Sequence, residues 1–362
     1  MAESSFDPSV VKVPEAEWIG DVLGCRIKNL RADRLGDGRG LQSTAWRLGL
    51  DAAEPADGCP TTLILKSETA DPMFNELSRL NNAFEREVGV YQHCTPRLKG
   101  YQPAVYASSG EAPAWLLMED LSHLLAGDQV VGLTYEQTLS AVRNMAAIHA
   151  EFWMDSALEQ HNWLPHHGLW FASPKQSVIE DFFATYGVRF GSEVTALYGA
   201  VLEQSDAINA ALNQRKWTLI HGDLRADNLL FDANSGAPKS VILDWSWAAR
   251  GHAAVDVAFL VGGSTPVAQR SGRYVDFVQA WHAVLVANGV SNYSLEDAWY
   301  DWRLAALRCM TAGDAMHGFA SSDAASTRVA LFMDDAIQRH AAFALELEAW
   351  RALPDHAGFS AF

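Results

Sequence analysis

The chain has 362 residues, 49% of them apolar and 20% charged, with a formal net charge of −17 and a pI near 5.0. A single core stops growing at roughly 250–300 residues, so this is a globular chain of two domains or two lobes. The acidic balance excludes sequence-independent nucleic-acid binding, which needs a basic surface. No apolar run reaches the ~18 residues of a membrane span.

Residues 1–20 read as a lead-in that carries acids and lacks a basic-then-apolar signal pattern, so a soluble, cytoplasmic protein is expected. Cys25, Cys59, Cys94 and Cys309 show no CxxC and no metal spacing, and free thiols are expected. From 28 to 120 the pattern favours strands. Residues 30–52 hold two strand-like pieces around a glycine-rich turn, and 61–68, "TTLILKSE", is a short β-rich run with Lys66 near its end. Residues 81–94 place Phe84, Val88 and Tyr91 at helical spacing. "PAVYAS" (103–108) and "APAWLLMEDL" (112–121) read as a hairpin. The boundary falls near 118–123, which divides the chain into a β-rich lobe over 1–120 and a mainly helical lobe over 121–362.

Beyond it the period becomes helical. Thr134 and Gln137 form a capping-box pattern ahead of Leu139, Val142, Met145, Ala146, His149, Phe152 and Trp153 on one face. Further helices are expected at 175–190, 192–215, 254–261, 270–288, 295–317 and 323–352. Two strand-like runs, 229–232 and 240–245, interrupt them.

The chemistry concentrates at 219–231, "LIHGDLRADNLLF". An Asp and an Asn stand five positions apart in a polar stretch between two apolar ones, and "SVILDW" (240–245) adds a second Asp. Phosphoryl transfer asks a protein mainly to position groups and stabilise charge. One carboxylate orients the attacking hydroxyl and accepts its proton, and hard oxygen donors from Asp and Asn suit Mg²⁺. Asp223 fits the base, and Asn228 and Asp244 fit the metal ligands. An upstream strand lysine should meet the α/β-phosphates, held by a helical glutamate. Lys66 and Glu87 fit in type and order, with Glu85 as the other possible partner.

This arrangement resembles the aminoglycoside phosphotransferase and choline kinase superfamily. "HGDLRADNLLF" matches its His-Gly-Asp-x-x-x-x-Asn loop, and "ILDWSW" its Asp-containing metal motif. "VDVAFL" (255–260) looks like the helix start that follows. "MAAIHAEFW" (145–153) and "DLRADNLLF" resemble an ecdysteroid-kinase-like branch. The resemblance covers roughly residues 30–350. It implies an α+β, protein-kinase-like two-lobed fold, with a nucleotide-binding lobe over 1–120 and the catalytic loop and acceptor site in 121–362. It also implies transfer of the γ-phosphate of Mg-ATP, or of GTP, to a hydroxyl of a small molecule. "LGDGRGLQSTAWRL" (35–48) resembles a nucleotide-covering loop, which brings Gly38 and Ser43 to the phosphates. "LLMEDL" (116–121) resembles the hinge, which sets Met118, Glu119 and Leu121 beside the base of the nucleotide.

Several readings stay open at this level. Arg225 and Asp227 stand where aminoglycoside kinases usually have His and Gly. They form a local ion pair or face the acceptor. Gly36, Gly38 and Gly40 are a hairpin turn or a lid over phosphates. His221 reads as a structural residue, and Asp256 as an anchor beneath the catalytic loop. Trp245, Trp247, Trp281, Trp299 and Trp302 read mostly as core, with a cation–π pocket for an amine as the sharper idea. Asp301, Asp314, Asp334 and Asp335 read as solvated helix faces. The rival functions are a nucleotide-binding pseudokinase scaffold and a protein kinase. "HGD" in place of "HRD" and the absence of an APE-like segment argue against the second. Neither the acceptor nor the oligomeric state can be read from the chain.

Overall fold

Five strands build the N-terminal sheet: β1 (Ile27–Leu35), β2 (Ser43–Ala52), β3 (Thr62–Glu68), β4 (Val105–Ser109) and β5 (Trp115–Glu119). They pair antiparallel in the order β1-β2-β3-β5-β4. Successive side chains on a strand point to opposite faces. Leu63 and Leu65 of β3 thus join Leu48, Leu50 and Leu117, with Ile19 of α1 (Ala16–Leu23), in one buried cluster. Lys66 falls on the other face. Two short helices follow β3: α2 (Pro72–Leu80), which sequence periodicity does not announce, and α3 (Ala83–Gly89). The latter runs into a π-turn over Val90–Cys94. The expected helix over 81–94 is therefore present, as an α-helix that continues into a π-helical stretch.

The computed structural model describes residues 14–35, 43–53, 59–69, 72–98, 102–111, 114–166, 190–232, 238–311 and 327–355, with scattered positions between 177 and 187. The chain forms two compact units. One is Met1–Leu98 with Gln102–Leu124 and Asp244–Trp247. The other is Lys99–Tyr101 with Leu125–Leu243 and Ala248–Phe362.

In the first unit the expectation of four free thiols is wrong. Cys25 and Cys59 form a disulfide with their Cα atoms 6.3 Å apart, and it ties the start of β1 to the approach to β3. Cys94 and Cys309 lie outside any disulfide, and both are buried. The pairing escapes a reading by spacing because the two positions meet only through the β1–β2 hairpin.

The second unit opens with β6 (Leu125–Ala126) and α4 (Tyr135–Glu151). The capping box forms on α4: Gln137 N–H donates to Thr134 Oγ1 at 3.2 Å, and Thr134 N–H donates to Gln137 Oε1 at 2.9 Å. Next come α5 (Ser192–Glu203) and α6 (Ser205–Asn213). The single helix expected over 192–215 breaks at Gln204, whose side chain exchanges two 2.8 Å hydrogen bonds with the backbone of Asp355.

Two small sheets carry the centre of this unit. β7 (Trp217–Ile220) pairs with β10 (Ala249–His252), and β8 (Leu229–Asp232) lies between β6 and β9 (Lys239–Ile242). The remaining helices are α7 (Ala254–Phe259), α8 (Val267–Arg270), α9 (Tyr274–Ala287), α10 (Leu295–Met310) and α11 (Thr327–Glu346). A π-turn over Leu260–Ser264 extends α7, and the helix expected over 270–288 is α9, which starts four residues later, after the short α8. The expected helix at 175–190 lies almost wholly outside the described residues.

Trp281 and Trp302 are fully buried, edge-on to each other at 6.0 Å, with Phe277 and Phe343 in the same core. Trp245 is also fully buried, whereas Trp247 and Trp299 are half-buried. Asp301 corrects the reading as a solvated helix face. It is fully buried and receives Arg215 Nε at 2.5 Å and Tyr293 Oη at 2.7 Å, with His252 Nε2 at 3.2 Å. A buried carboxylate is tolerated only when its oxygens are so paired. Asp335 is half-exposed and pairs with Arg339, and Asp314 and Asp334 lie outside the residues whose side chains are described.

Candidate active site

In the first unit, β3 and α3 bring together two predicted residues. Lys66 Nζ lies 2.8 Å from Glu87 Oε1 and 2.7 Å from Oε2. Glu85, the other possible partner, is exposed. Phe84, one helical turn before Val88, sets its ring 5.9 Å from the ammonium. Asp244 joins this pair, with Oδ1 3.3 Å from Lys66 Nζ. Its backbone is left-handed, φ 64°, a conformation Asp tolerates better than most residues. The turn that follows, Trp245–Trp247, packs on α3.

The electrostatics follow from burial. Burial raises the Glu87 carboxyl to about 7, with Lys66 opposing the shift and Asp244 adding to it. For Lys66 burial disfavours the charge, yet Asp244 and Glu87 outweigh it and hold the ammonium above its usual range. The result is a fixed cation beside two carboxylates, one of them, Asp244, 41% exposed.

Ser43, Glu119 and Leu121 lie elsewhere on this sheet. Ser43 opens β2 opposite Glu68. Glu119 ends β5, where its N–H donates to Ala104 O at 2.8 Å and its Oε2 accepts from Ala104 N–H at 3.1 Å. Leu121 is buried just beyond, and its carbonyl accepts from Leu124 N–H at 2.9 Å. Gly36, Gly38 and Gly40 lie outside the described residues.

In the second unit, β7 delivers the chain into His221, Gly222 and Asp223. Asp256, in the first turn of α7 and 1% exposed, holds this corner. Its Oδ2 accepts from His221 N–H at 2.6 Å and its Oδ1 from Gly222 N–H at 2.9 Å. Gly222 has φ 80°, so the sharp corner needs a residue without a Cβ. His149 Nε2, 3.2 Å from Asp256 Oδ2, supplies a third donor, since its Nδ1 accepts from Trp281 Nε1–H at 3.2 Å. Burial lowers the His149 pKa, and Asp256 works against that shift.

His221 spends both ring nitrogens on the loop. Nε2 donates to Leu243 O at 2.8 Å, and Nδ1 accepts from Asp223 N–H at 3.2 Å. The tautomer is thereby fixed, and neither nitrogen remains for proton transfer.

Asp223 and Asn228 do meet. Asn228 Nδ2 donates to Asp223 O at 2.8 Å and to Asp223 Oδ2 at 3.2 Å. Turning Nδ2 toward Asp223 points the Asn228 amide oxygen the other way. Arg225 sits between two carboxylates, Nε 3.1 Å from Asp223 Oδ2 and Nη1 2.7 Å from Asp227 Oδ2. The local ion pair read as one option for Arg225 and Asp227 is present. Burial opposes the Arg225 charge, and Asp223 and Asp227 hold it nonetheless.

Asn228 and Asp244 each carry a hard oxygen donor of the kind Mg²⁺ prefers. Among the described residues no group of three or more His, Cys, Asp or Glu side chains could hold a metal ion. His149, Trp281 and Gln129 also act on this loop. Only His149 could have been picked out beforehand, as the one titratable group on the apolar face of α4.

Curated protein sequences give no match. Among solved structures, a macrolide 2′-phosphotransferase from Brachybacterium faecium aligns at 16% identity and TM-score 0.50, over 88% of this chain and 95% of its own. A choline kinase from Cryptosporidium parvum aligns at 10% identity and TM-score 0.52, over 88% and 89%. A spectinomycin phosphotransferase solved with ADP and spectinomycin aligns at 12% identity and TM-score 0.51, over 93% and 100%. These share the fold: a β-sheet N-terminal part and a helical C-terminal part. No helix among the described residues is long and apolar enough to cross a membrane. The model of the phosphotransferase enzyme family matches residues 62–295, more than half of the chain and all of the loop and strand residues described above from Lys66 to Asp256. The chain belongs to the phosphotransferase enzyme family.

Proposed function

We propose that this protein transfers the γ-phosphoryl group of Mg-ATP to a hydroxyl of a small molecule. The observation that carries the reading is the bidentate Lys66–Glu87 pair beside Asp244. A buried lysine fixed this way is a preformed cation for a polyphosphate, and its cost of burial is hard to explain as stability alone.

Lys66 contacts the α/β-phosphates and Glu87 holds it in place. Ser43 and Gly38 meet the phosphates, and Glu119 and Leu121 border the base. Asn228 and Asp244 hold Mg²⁺, which when bound supplies charge neutralisation to the phosphates. Asp223 accepts a hydrogen bond from the acceptor hydroxyl. The bond from the γ-phosphorus to the β-bridging oxygen breaks as the bond to the acceptor oxygen forms. The hydroxyl proton passes to Asp223, and ADP leaves with the electron pair of the broken bond. Arg225 Nε, 3.1 Å from Asp223 Oδ2, orients that carboxylate.

The test is nucleotide consumption with Mg-ATP and Mg-GTP across hydroxylated amines, sugars, macrolides, aminoglycosides and sterols, run beside Asp223→Asn. Consumption that depends on one acceptor class and vanishes in the variant supports the reading. Turnover by Asp223→Asn near the wild-type rate overturns the role of Asp223. Failure of both Mg-nucleotides to bind overturns the whole.

A further inference from the structure

The segment just after β6 grips the catalytic loop at its midpoint. Gln129 is 3% exposed, and its side chain makes three hydrogen bonds. Oε1 accepts from Ala226 N–H at 2.9 Å and from Ser264 Oγ–H at 2.7 Å, and Nε2 donates to Gly263 O at 2.9 Å. Its backbone N–H donates to Asp227 Oδ1 at 3.0 Å. One residue thus addresses both Ala226 and Asp227, which stand between Asp223 and Asn228.

Gly127 supports the same contact by a different observation. A Cβ there would lie 2.2 Å from the Ala226 carbonyl oxygen, so the segment approaches as closely as a glycine permits. Gly127 N–H also donates to Leu229 O at 2.9 Å. Ala226 is gripped at both its amide and its carbonyl.

The far side of Gln129 is braced as well. Arg339 of α11 donates from Nη1 to Gln129 O at 3.0 Å and from Nη2 to Val130 O at 2.9 Å. Arg270, fully buried, donates to the π-turn carbonyls of Val261 and Gly262 and to Thr265 O. The π-turn that carries Ser264 and Gly263 is held by side chains from α8 and α11.

We infer that Gln129 is a positioning residue for phosphoryl transfer: its amide sets the backbone between Asp223 and Asn228 and so fixes their mutual placement. This rests on the reading of Asp223 and Asn228 given above. A buried amide whose oxygen accepts from the loop's Ala226 N–H and from Ser264 Oγ–H, itself 3.0 Å from the same Ala226 N–H, and which touches no reacting atom has this use. Asp227, clamped by the Gln129 N–H, passes the constraint to Arg225, and Arg225 passes it to Asp223. Misplacing reacting groups by an ångström costs on the order of 100-fold in rate.

The test compares Gln129→Ala, Gln129→Glu and wild type in two measurements. The first is amide hydrogen exchange of a peptide covering 221–231, with a peptide from α9 as control. The second is Mg-ATP hydrolysis with water as the phosphoryl acceptor. Gln129→Ala should speed exchange in 221–231 at least tenfold and leave α9 unchanged. It should lower kcat about 10–100-fold with KM for Mg-ATP within threefold. Gln129→Glu keeps the acceptor oxygen for Ala226 and Ser264 but loses the donor to Gly263 O, so it should recover both in part. Equal acceleration in both peptides would reduce the residue to general stability and overturn the inference. So would unchanged exchange in 221–231, or a loss that falls on KM. If wild type binds Mg-ATP and hydrolyses none, the proposed activity is what that result counts against. The exchange measurement then decides the position of Gln129 by itself.

Discussion

Asp256 receives the backbone N–H of His221 at 2.6 Å, so the sharpest corner of the catalytic loop rests on the first turn of a helix 35 residues further along the chain. The second oxygen takes Gly222, and His149 completes the set. The carboxylate is buried, so its worth lies in these donors. Asp256→Asn keeps the shape but turns an acceptor into a donor aimed at N–H groups. It should cost about 1–3 kcal/mol in urea unfolding and lower turnover at least tenfold. Unchanged stability would mean that the corner holds without Asp256.

The raised Glu87 pKa has a signed consequence. Its ordinary value is 4.5 and its folded value about 7. Between these the folded chain keeps a proton that the unfolded chain has lost. The contribution of this group to stability is therefore full below about pH 4.5 and is lost as pH rises to about 7. Pairing with Lys66 runs the other way, because it strengthens when the carboxyl ionises. Mg-ATP affinity should climb as pH rises through about 7, by at most roughly tenfold per pH unit for one proton. Calorimetric titration from pH 5.5 to 8.5 checks this, and Glu87→Gln should flatten the profile.

Asp301 makes a third case. Tyr293→Phe removes one donor from a buried carboxylate that keeps Arg215 and His252. The expected cost is about 1–3 kcal/mol of unfolding free energy with nucleotide affinity unchanged. A drop in nucleotide affinity larger than the stability change would contradict a structural role.

The disulfide predicts a thiol count. Of the four cysteines, two should react with a thiol reagent when the protein is unfolded without reductant, and all four after reduction. In native protein none should react quickly, since Cys94 and Cys309 are buried and burial pushes the Cys309 thiol up to about 12. Reduction should cost about 2–4 kcal/mol, the usual worth of closing a loop of this size.

Part of this is legible in the order of the amino acids alone. The loop at 221–228 stands out because polar residues at fixed offsets interrupt two apolar strands, and β8 and β9 then carry the chain to Asp244. Lys66 on a strand and a glutamate on the helix after it are legible by type and order, with Glu85 and Glu87 both open until the structure selects Glu87. Thr134 caps α4 through a contact three residues long. All of these depend on local spacing, and local spacing is what a sequence states directly.

Other features depend on what folding brings near. Cys25 meets Cys59 across a hairpin, Asp301 is paired in its buried place by Arg215 and His252 from 86 and 49 positions away, and Gln204, where the helices part, meets the backbone of Asp355. Gln129 is an ordinary polar residue in "GDQVV" until the fold sets it under Ala226. The residue types that phosphoryl transfer requires were determined by the sequence, because that chemistry admits few side chains. Which groups hold those residues in place was decided only by the tertiary structure, because a hydrogen bond is chosen by distance in space and can join segments of any separation along the chain.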